Sequence, residues 1–279
     1  MAVDGLETYD LRVGGVRLNS YAYNVSMVSG VSQLPGRDLI STPGPRQDGS
    51  VPIPGRFTEP PTIGITGWIS DRNPDGSHAS NPQIQFEKNW TAFLGAFVGQ
   101  GATIKVERCM PDGSIREADC RVSAAIIPEL PQAGASRIAD VKVALDIPGI
   151  FWKDSSGPFT QSYTTFGTAT TLNFLSPSTA PITDAKYVVT GPVTNPYISN
   201  SAGDYITYNG TVPAGQTWTV DAKAFTSVLS GTGSVLFQTS YKNSGGYLFE
   251  IWNPYKVTVS GSGTTSASKW SVTADKKFF

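Results

Sequence analysis

The sequence predicts a mainly β fold of two β-sandwich-like domains, the first with one packed α-helix, and three observations predict it. Charged residues are only 15% of the 279, while glycine and proline number 29 and 20, the profile of short strands joined by many tight turns. Apolar residues alternate with a period of two along much of the chain. One stretch alone, residues 82–98, repeats at three and four.

The chain opens with a hairpin in which residues 9–13 and 16–18 flank Gly14-Gly15, two residues free to take the positive φ of a tight turn. A mixed stretch at 21–31 reads as a further strand. Residues 46–70, RQDGSVPIPGRFTEPPTIGITGWIS, read as a strand, a proline-studded connection and a second strand. In the second strand Ile63, Ile65, Gly67 and Ile69 alternate with Thr62, Gly64, Thr66 and Trp68, so its two faces are used differently. Pro52, Pro54, Pro60 and Pro61 lack an N–H and fix φ, which makes the connection stiff, extended and unfit for the inside of a sheet. Residues 49–61 are therefore expected to act as an arm that reaches a neighbouring subunit. Pro52, Pro54, Arg56 and Phe57 are its expected contacts, with Arg56 and Phe57 at the tip. The competing reading is a rigid surface loop that Phe57 staples to its own domain.

A helix follows. Asn81 is placed to cap it, Pro82 suits its first turn, and Ile84, Phe86, Trp90, Phe93, Leu94, Phe97 and Val98 form its stripe before Gly99 and Gly101. So apolar a stripe must lie on a sheet, which a hairpin at 103–123 and a strand at 140–147 supply. In that hairpin either register considered, Val106 opposite Cys120 or a two-residue Asp112-Gly113 turn, keeps Cys109 and Cys120 too far apart to bridge. Two reduced cysteines are expected.

All ten arginines lie at or before Arg137, and beyond Lys153 serine and threonine make up 38 of 127 residues. The shift predicts two domains, 1–152 and 153–279, with the boundary near 153–162. The second reads as short strands at 169–174, 187–190, 197–199, 205–208, 217–220, 235–238, 248–252, 256–259 and 269–273, a jelly-roll or galectin-like sandwich.

Catalytic chemistry finds few residues to carry it, and neither a cofactor nor a metal is expected. His78, the single histidine, sits in a Gly/Asn/Ser loop and has no G-x-S-x-G partner. Asp71, Asn73, Asp75 and Gly76 match the first half of a calcium loop, but Pro82 stands where the bidentate glutamate belongs. Trp218, Trp252 and Trp270 are candidate sugar platforms, yet they alternate with polar residues as core aromatics do. A net charge of −1 and a pI near 5.9 give no reason to expect nucleic-acid readout. No apolar run is long enough to span a membrane, and the opening MAVDGLETYD has no leader-like core, so a product made in the cytoplasm is expected.

Several stretches together resemble the distal tail proteins of long-tailed, non-contractile bacteriophages. They are VGGV at 13–16, RQDGSVPIPGRFTEPPTIGITGW at 46–68, the helix with Trp90, Phe93 and Leu94, CRV at 120–122, and IPGIFW at 147–152. The segment 191–221, containing ISNSAGDYITYNGTVPAGQTWTVDA, resembles the family's second domain. The resemblance implies a structural, non-enzymatic virion protein that forms a hexameric ring at the tail tip, built by the first domain with the second facing outward. It implies as partners further copies of the chain, the tail tube protein, the tape measure protein, the tip hub and receptor-binding proteins, with assembly in the host cytoplasm. The alternative from a different class is a carbohydrate-binding protein for cell-surface glycans.

Overall fold

The structure, a computed structural model, describes residues 10–30, 36–37, 40–43, 50–53, 57–98, 103–126, 139–242 and 249–279. The chain divides between Ser156 and Gly157 into two compact units, with residues 38–56 counted in the second and Phe279 in the first.

In the first unit Leu11–Val13 (β1) and Val16–Arg17 (β2) form the opening hairpin, and Gly14 and Gly15 take φ of +56° and +83° between them. Gly14 is doubly constrained, because a Cβ there would lie 2.4 Å from the Ala96 carbonyl oxygen. Tyr23–Ser29 (β3) comes next. Gly36–Arg37 (β4) and Phe57–Glu59 (β7) then pair antiparallel, and so do Ile40–Pro43 (β5) and Ser50–Ile53 (β6), which are counted in the second unit. Thr62–Ile69 (β8), the helix Pro82–Phe97 (α1), Ile104–Cys109 (β9), Ile115–Ile126 (β10), Ala139–Asp146 (β11) and Trp152–Asp154 (β12) complete the unit. The sheet order is β2-β1-β9-β10-β11-β8-β3, with β12 paired to β10. β10 joins its halves: up to Cys120 it pairs with β9, from Arg121 with β11, and a bulge between Val122 and Ala124 bends it.

β8 is the strand whose neighbours decide the unit. Ile63 and Ile65 stand opposite Leu145 and Val143 of β11, and all four are buried. The other face carries Thr62, Gly64, Thr66 and Trp68, as the alternation predicts. Helix α1 packs on β8. The Asn81 side chain accepts from the Ile84 N–H, Pro82 opens the helix, and Phe86, Asn89, Trp90, Phe93 and Ala96 are buried, with Phe93 edge-on to Tyr23 at 6.0 Å. The buried stripe is narrower than predicted, since Ile84 and Val98 at the helix ends are exposed.

A charged row crosses the opposite face of the other half-sheet. Arg12, Glu107, Glu117 and Lys153 stand side by side on β1, β9, β10 and β12, with Arg12 to Glu107 at 3.2 Å and Lys153 to Glu117 at 3.3 Å. A cation on each outer side keeps the two adjacent glutamates compatible, as like charges directly opposite would otherwise repel. Cys109 pairs with Ile115 and Cys120 with Ile104, a register different from both considered above, and the two cysteines are free and well separated along the strands. The difference arises in the turn, where Met110 accepts from Gly113 and donates to Ser114, and Asp112 accepts from Ser114. Burial pushes the Cys120 thiol up to about 12, so it stays protonated at neutral pH.

The arm is a two-stranded ribbon. Pro52 lies in β6 opposite Ser41, and in a ribbon each strand is an edge, where a missing N–H is tolerated. Phe57 stands opposite Arg37, while the connection between β5 and β6 is residues 44–49. Phe57 therefore belongs to the base of the ribbon and not to its tip. Pro54 and Arg56 lie outside the described residues, as do the side chains of Pro52 and Phe57.

The second unit is a sandwich of two antiparallel sheets. Its strands are Phe159–Tyr163 (β13), Ala169–Thr171 (β14), Lys186–Thr190 (β15), Val193–Asn200 (β16), Tyr205–Tyr208 (β17), Thr211–Val212 (β18), Thr217–Asp221 (β19), Thr226–Leu229 (β20), Gly233–Ser234 (β21), Thr239–Lys242 (β22), Lys256–Ser262 (β23) and Lys269–Ala274 (β24). One sheet runs β13-β24-β15-β19-β20-β21 and the other β14-β23-β16-β17-β22 with β18 on β16. Between them lie Tyr187, Trp218, Trp270 and Val272 from the first and Ile198, Ile206, Val257 and Val259 from the second. The buried indoles are satisfied: Trp218 Nε1 donates to Ser227 Oγ and Trp270 Nε1 to the Thr165 carbonyl, both at 2.8 Å. Three expected strands differ. Residues 173–175 and 236–238 are 3₁₀ turns, and the described part of 248–252 makes one isolated bridge, Ile251 to Ile182.

Trp90 touches Phe86 at a ring separation of 5.9 Å and closes the helix onto the sheet. Trp90→Ala is expected to lower stability by about 3–5 kcal/mol. Denaturant unfolding of the full chain measures it, and an unchanged midpoint would show the helix to be dispensable for packing.

Candidate functional site

On the outer face of the first unit, at the Ile69 end of β8, lies a groove of about 270 Å³ lined by Tyr21, Trp68, Ser70, Arg72 and Asp140. Three strands bring its parts together. Trp68 of β8 stands between Asp140 of β11 and Asn24 of β3, and Tyr21 precedes β3. Alternation turns Trp68 to this face because its neighbours in the strand, Gly67 and Ile69, are buried on the other.

The rim is held from the core. Asn89, buried on α1, donates from Nδ2 to the carbonyls of Ser70 at 2.8 Å and Arg72 at 2.7 Å, and its own Oδ1 accepts from Gln85 Nε2 at 2.9 Å. Ser70 Oγ in turn donates to the Tyr21 carbonyl at 2.6 Å. The Tyr21 ring rests on Gly76, where φ is +89° and a Cβ would come within 2.9 Å of the ring. Tyr21 is 59% exposed, an uncommon place for so large a side chain, and here it is braced instead of trailing in solvent. Arg72 donates from Nη1 to the Gly76 carbonyl at 3.0 Å. Asp140 is exposed and has no ion pair among the described residues. Two aromatic faces with one cation and one anion at the edge suit a partner that is apolar, planar or ring-shaped and carries both signs of charge.

The groove takes in none of the predicted contact residues. Its own members escaped the sequence reading, although Trp68 on the polar face of β8 was a signal. His78 is exposed in the neighbouring loop, bridged to Arg72. The half-motif at 71–76 is a polar turn: Asp75 Oδ1 accepts from the Ser77 N–H at 2.9 Å and from Ser77 Oγ at 2.7 Å, and these bonds lower the Asp75 pKa. Among the described residues no three His, Cys, Asp or Glu side chains are grouped to hold a metal, and no helix is long and apolar enough to cross a membrane. Of the candidate sugar platforms, Trp218 and Trp270 are core residues, and Trp252 is 37% exposed with its Nε1 donating to Glu250.

No family model and no curated protein sequence matches the chain. Among solved structures the fold is similar to that of the Dit (gp 19.1) protein of phage SPP1, a paradigm of the hub adsorption apparatus in phages infecting Gram-positive hosts. That match has a TM-score of 0.61 and 11% identity over 98% of this chain and 100% of the other. A chain of the phage p2 baseplate, in its activated conformation with Sr, aligns over 96% of this chain and 98% of its own at 9% identity and a TM-score of 0.36.

Asn89→Ala removes the donor that the Ser70 and Arg72 carbonyls share, at an expected cost of about 1–3 kcal/mol. Chemical denaturation with hydrogen exchange on residues 70–78 is the check. Faster exchange there is expected, and an unaltered loop would mean that the rim is held by other bonds.

Proposed function

We propose that the chain is a structural component of a phage tail tip, a ring of identical copies at the distal end of the tail that joins the tube to the hub. The carrying observation is the fold: two β units that align along their whole length with a hub protein from another phage, despite 11% identity. Hexameric closure, and contacts with the tail tube, tape measure, hub and receptor-binding proteins, belong to the same proposal, as do the virion location and assembly in the host cytoplasm. So does the division of labour between domains 1–152 and 153–279, the first closing the ring and the second facing outward. A non-enzymatic role belongs to the same proposal, supported by the likeness to a hub protein.

The ribbon is the proposed ring-closing element, with Pro52, Pro54, Arg56 and Phe57 as contacts. Proline stiffness lowers the ordering cost of docking, and in a closed ring each copy both gives and receives the contact, so one substitution is felt at every interface. Sedimentation across a concentration series tests the proposal. Wild-type chain is expected to reach the mass of a closed ring, and the Arg56→Ala/Phe57→Ala double variant to lose it while keeping the monomer melting temperature. A wild-type chain that remains monomeric at every concentration overturns the reading.

A further inference from the structure

We propose that the Tyr21–Trp68 groove is a binding site for a phosphocholine group, with the trimethylammonium head held against Tyr21, Trp68 and Asp140 and the phosphate held by Arg72. The inference concerns a ligand of the first unit and stands apart from the ring reading above.

Charge selects the ligand. Arg72 and Asp140 line one groove, yet neither has an ion-pair partner among the described residues, so the site keeps a cation and an anion apart and open. Asp140 stands directly beside Trp68 in the register of β11 and β8. A carboxylate next to aromatic faces suits a quaternary ammonium, since the ring quadrupole attracts the cation and the methyl groups pack on apolar walls. Arg72 is pinned through one nitrogen, Nη1 to the Gly76 carbonyl at 3.0 Å, and its other N–H groups have no acceptor among the described residues. A planar guanidinium held in this way suits the oxygens of a phosphate. Phosphocholine joins these two groups across a short linker, so both groove charges are matched by one ligand.

Size and hydrogen-bonding capacity set other ligands aside. A volume of about 270 Å³ lies just below the range of about 300–1,000 Å³ usual for drug-sized ligands, which fits one small group and not an oligosaccharide. A pyranose would bring several hydroxyls that each need a partner. Ser70 Oγ cannot serve them, because it already donates to the Tyr21 carbonyl and accepts from the Arg72 N–H. A lysine-type ammonium would bring three donors to a groove whose one carboxylate is Asp140, whereas a trimethylammonium head carries no N–H and needs no acceptor. The braced Tyr21 ring and the Asn89-anchored rim complete the case, since a preformed site loses little freedom on binding.

Titration of the full-length chain with phosphocholine and with choline, followed by tryptophan fluorescence and by saturation transfer to the N-methyl protons, tests this. Wild type is expected to bind phosphocholine saturably and more tightly than choline. Asp140→Asn is expected to weaken both ligands by about tenfold, and Arg72→Gln to weaken phosphocholine by about tenfold while leaving choline unchanged. Both side chains are exposed, so unaltered melting temperatures are expected and separate lost binding from lost folding. Flotation with phosphatidylcholine and phosphatidylglycerol vesicles then separates the sources of the group. Capture by the first alone assigns it to a lipid headgroup, and capture by neither, with free phosphocholine bound, assigns it to a soluble or polymer-borne molecule; either result supports the proposal. No saturable binding by wild type overturns it. So does binding of inorganic phosphate or a methyl glucoside as tight as that of phosphocholine, or wild-type affinity in both variants. None of these outcomes bears on the ring reading, which sedimentation decides.

Discussion

The pairing of β8 with β11 on one side and β3 on the other is the constraint on which the first unit depends. In a strand the side-chain period is two, so a slip of one residue would turn Ile63, Ile65 and Ile69 out to solvent and bury Thr62, Thr66 and Trp68. The eight-residue run against β11 is unbroken, and the bulge on the β3 side, between Val25 and Met27, is taken up by β3. Fixing β8 fixes both of its faces at once. The inner face receives α1, and the outer face presents Trp68 between Asn24 and Asp140.

Asn89 links those two faces. A buried amide on a helix otherwise lined by Phe86, Trp90 and Phe93 is costly unless all its bonds are made, and here its donor and acceptor atoms are both used. The bonds go to the backbone just beyond β8, so the core holds the loop that shapes the groove. Sequence, packing and site geometry thus meet at one residue, which ties the backbone of the groove's rim to the helix beneath it.

Much of this was legible in the sequence, and the reasons for the rest are specific. The Gly14-Gly15 turn, the Asn81 cap with Pro82, and the alternation of β8 are local signals read by neighbouring residues. Strands β17, β19 and β24 stood out because their aromatics and β-branched residues alternate cleanly. β13 and β20 did not, since Thr160, Gln161 and Ser162 in the one and Thr226 and Ser227 in the other carry little apolar pattern, and β13 is held by a partner distant in sequence, β24. Residues 236–238 have strand-like composition but turn because Gln238 donates back to Val235. Proline content described the arm as stiff but concealed its pairing, as ladder contacts between β5 and β6 are not visible in composition. The groove was illegible for a different reason: residues 21, 68, 72 and 140 meet only after three strands have paired.

The central claim is that a stiff ribbon on one copy reaches the next and closes the assembly. Electron cryo-microscopy of the full-length chain, at a concentration where it self-associates, tests that most directly. The predicted result is a closed ring in which each ribbon crosses to the next copy. Particles that are single chains, or rings in which every ribbon stays on its own copy, would contradict it.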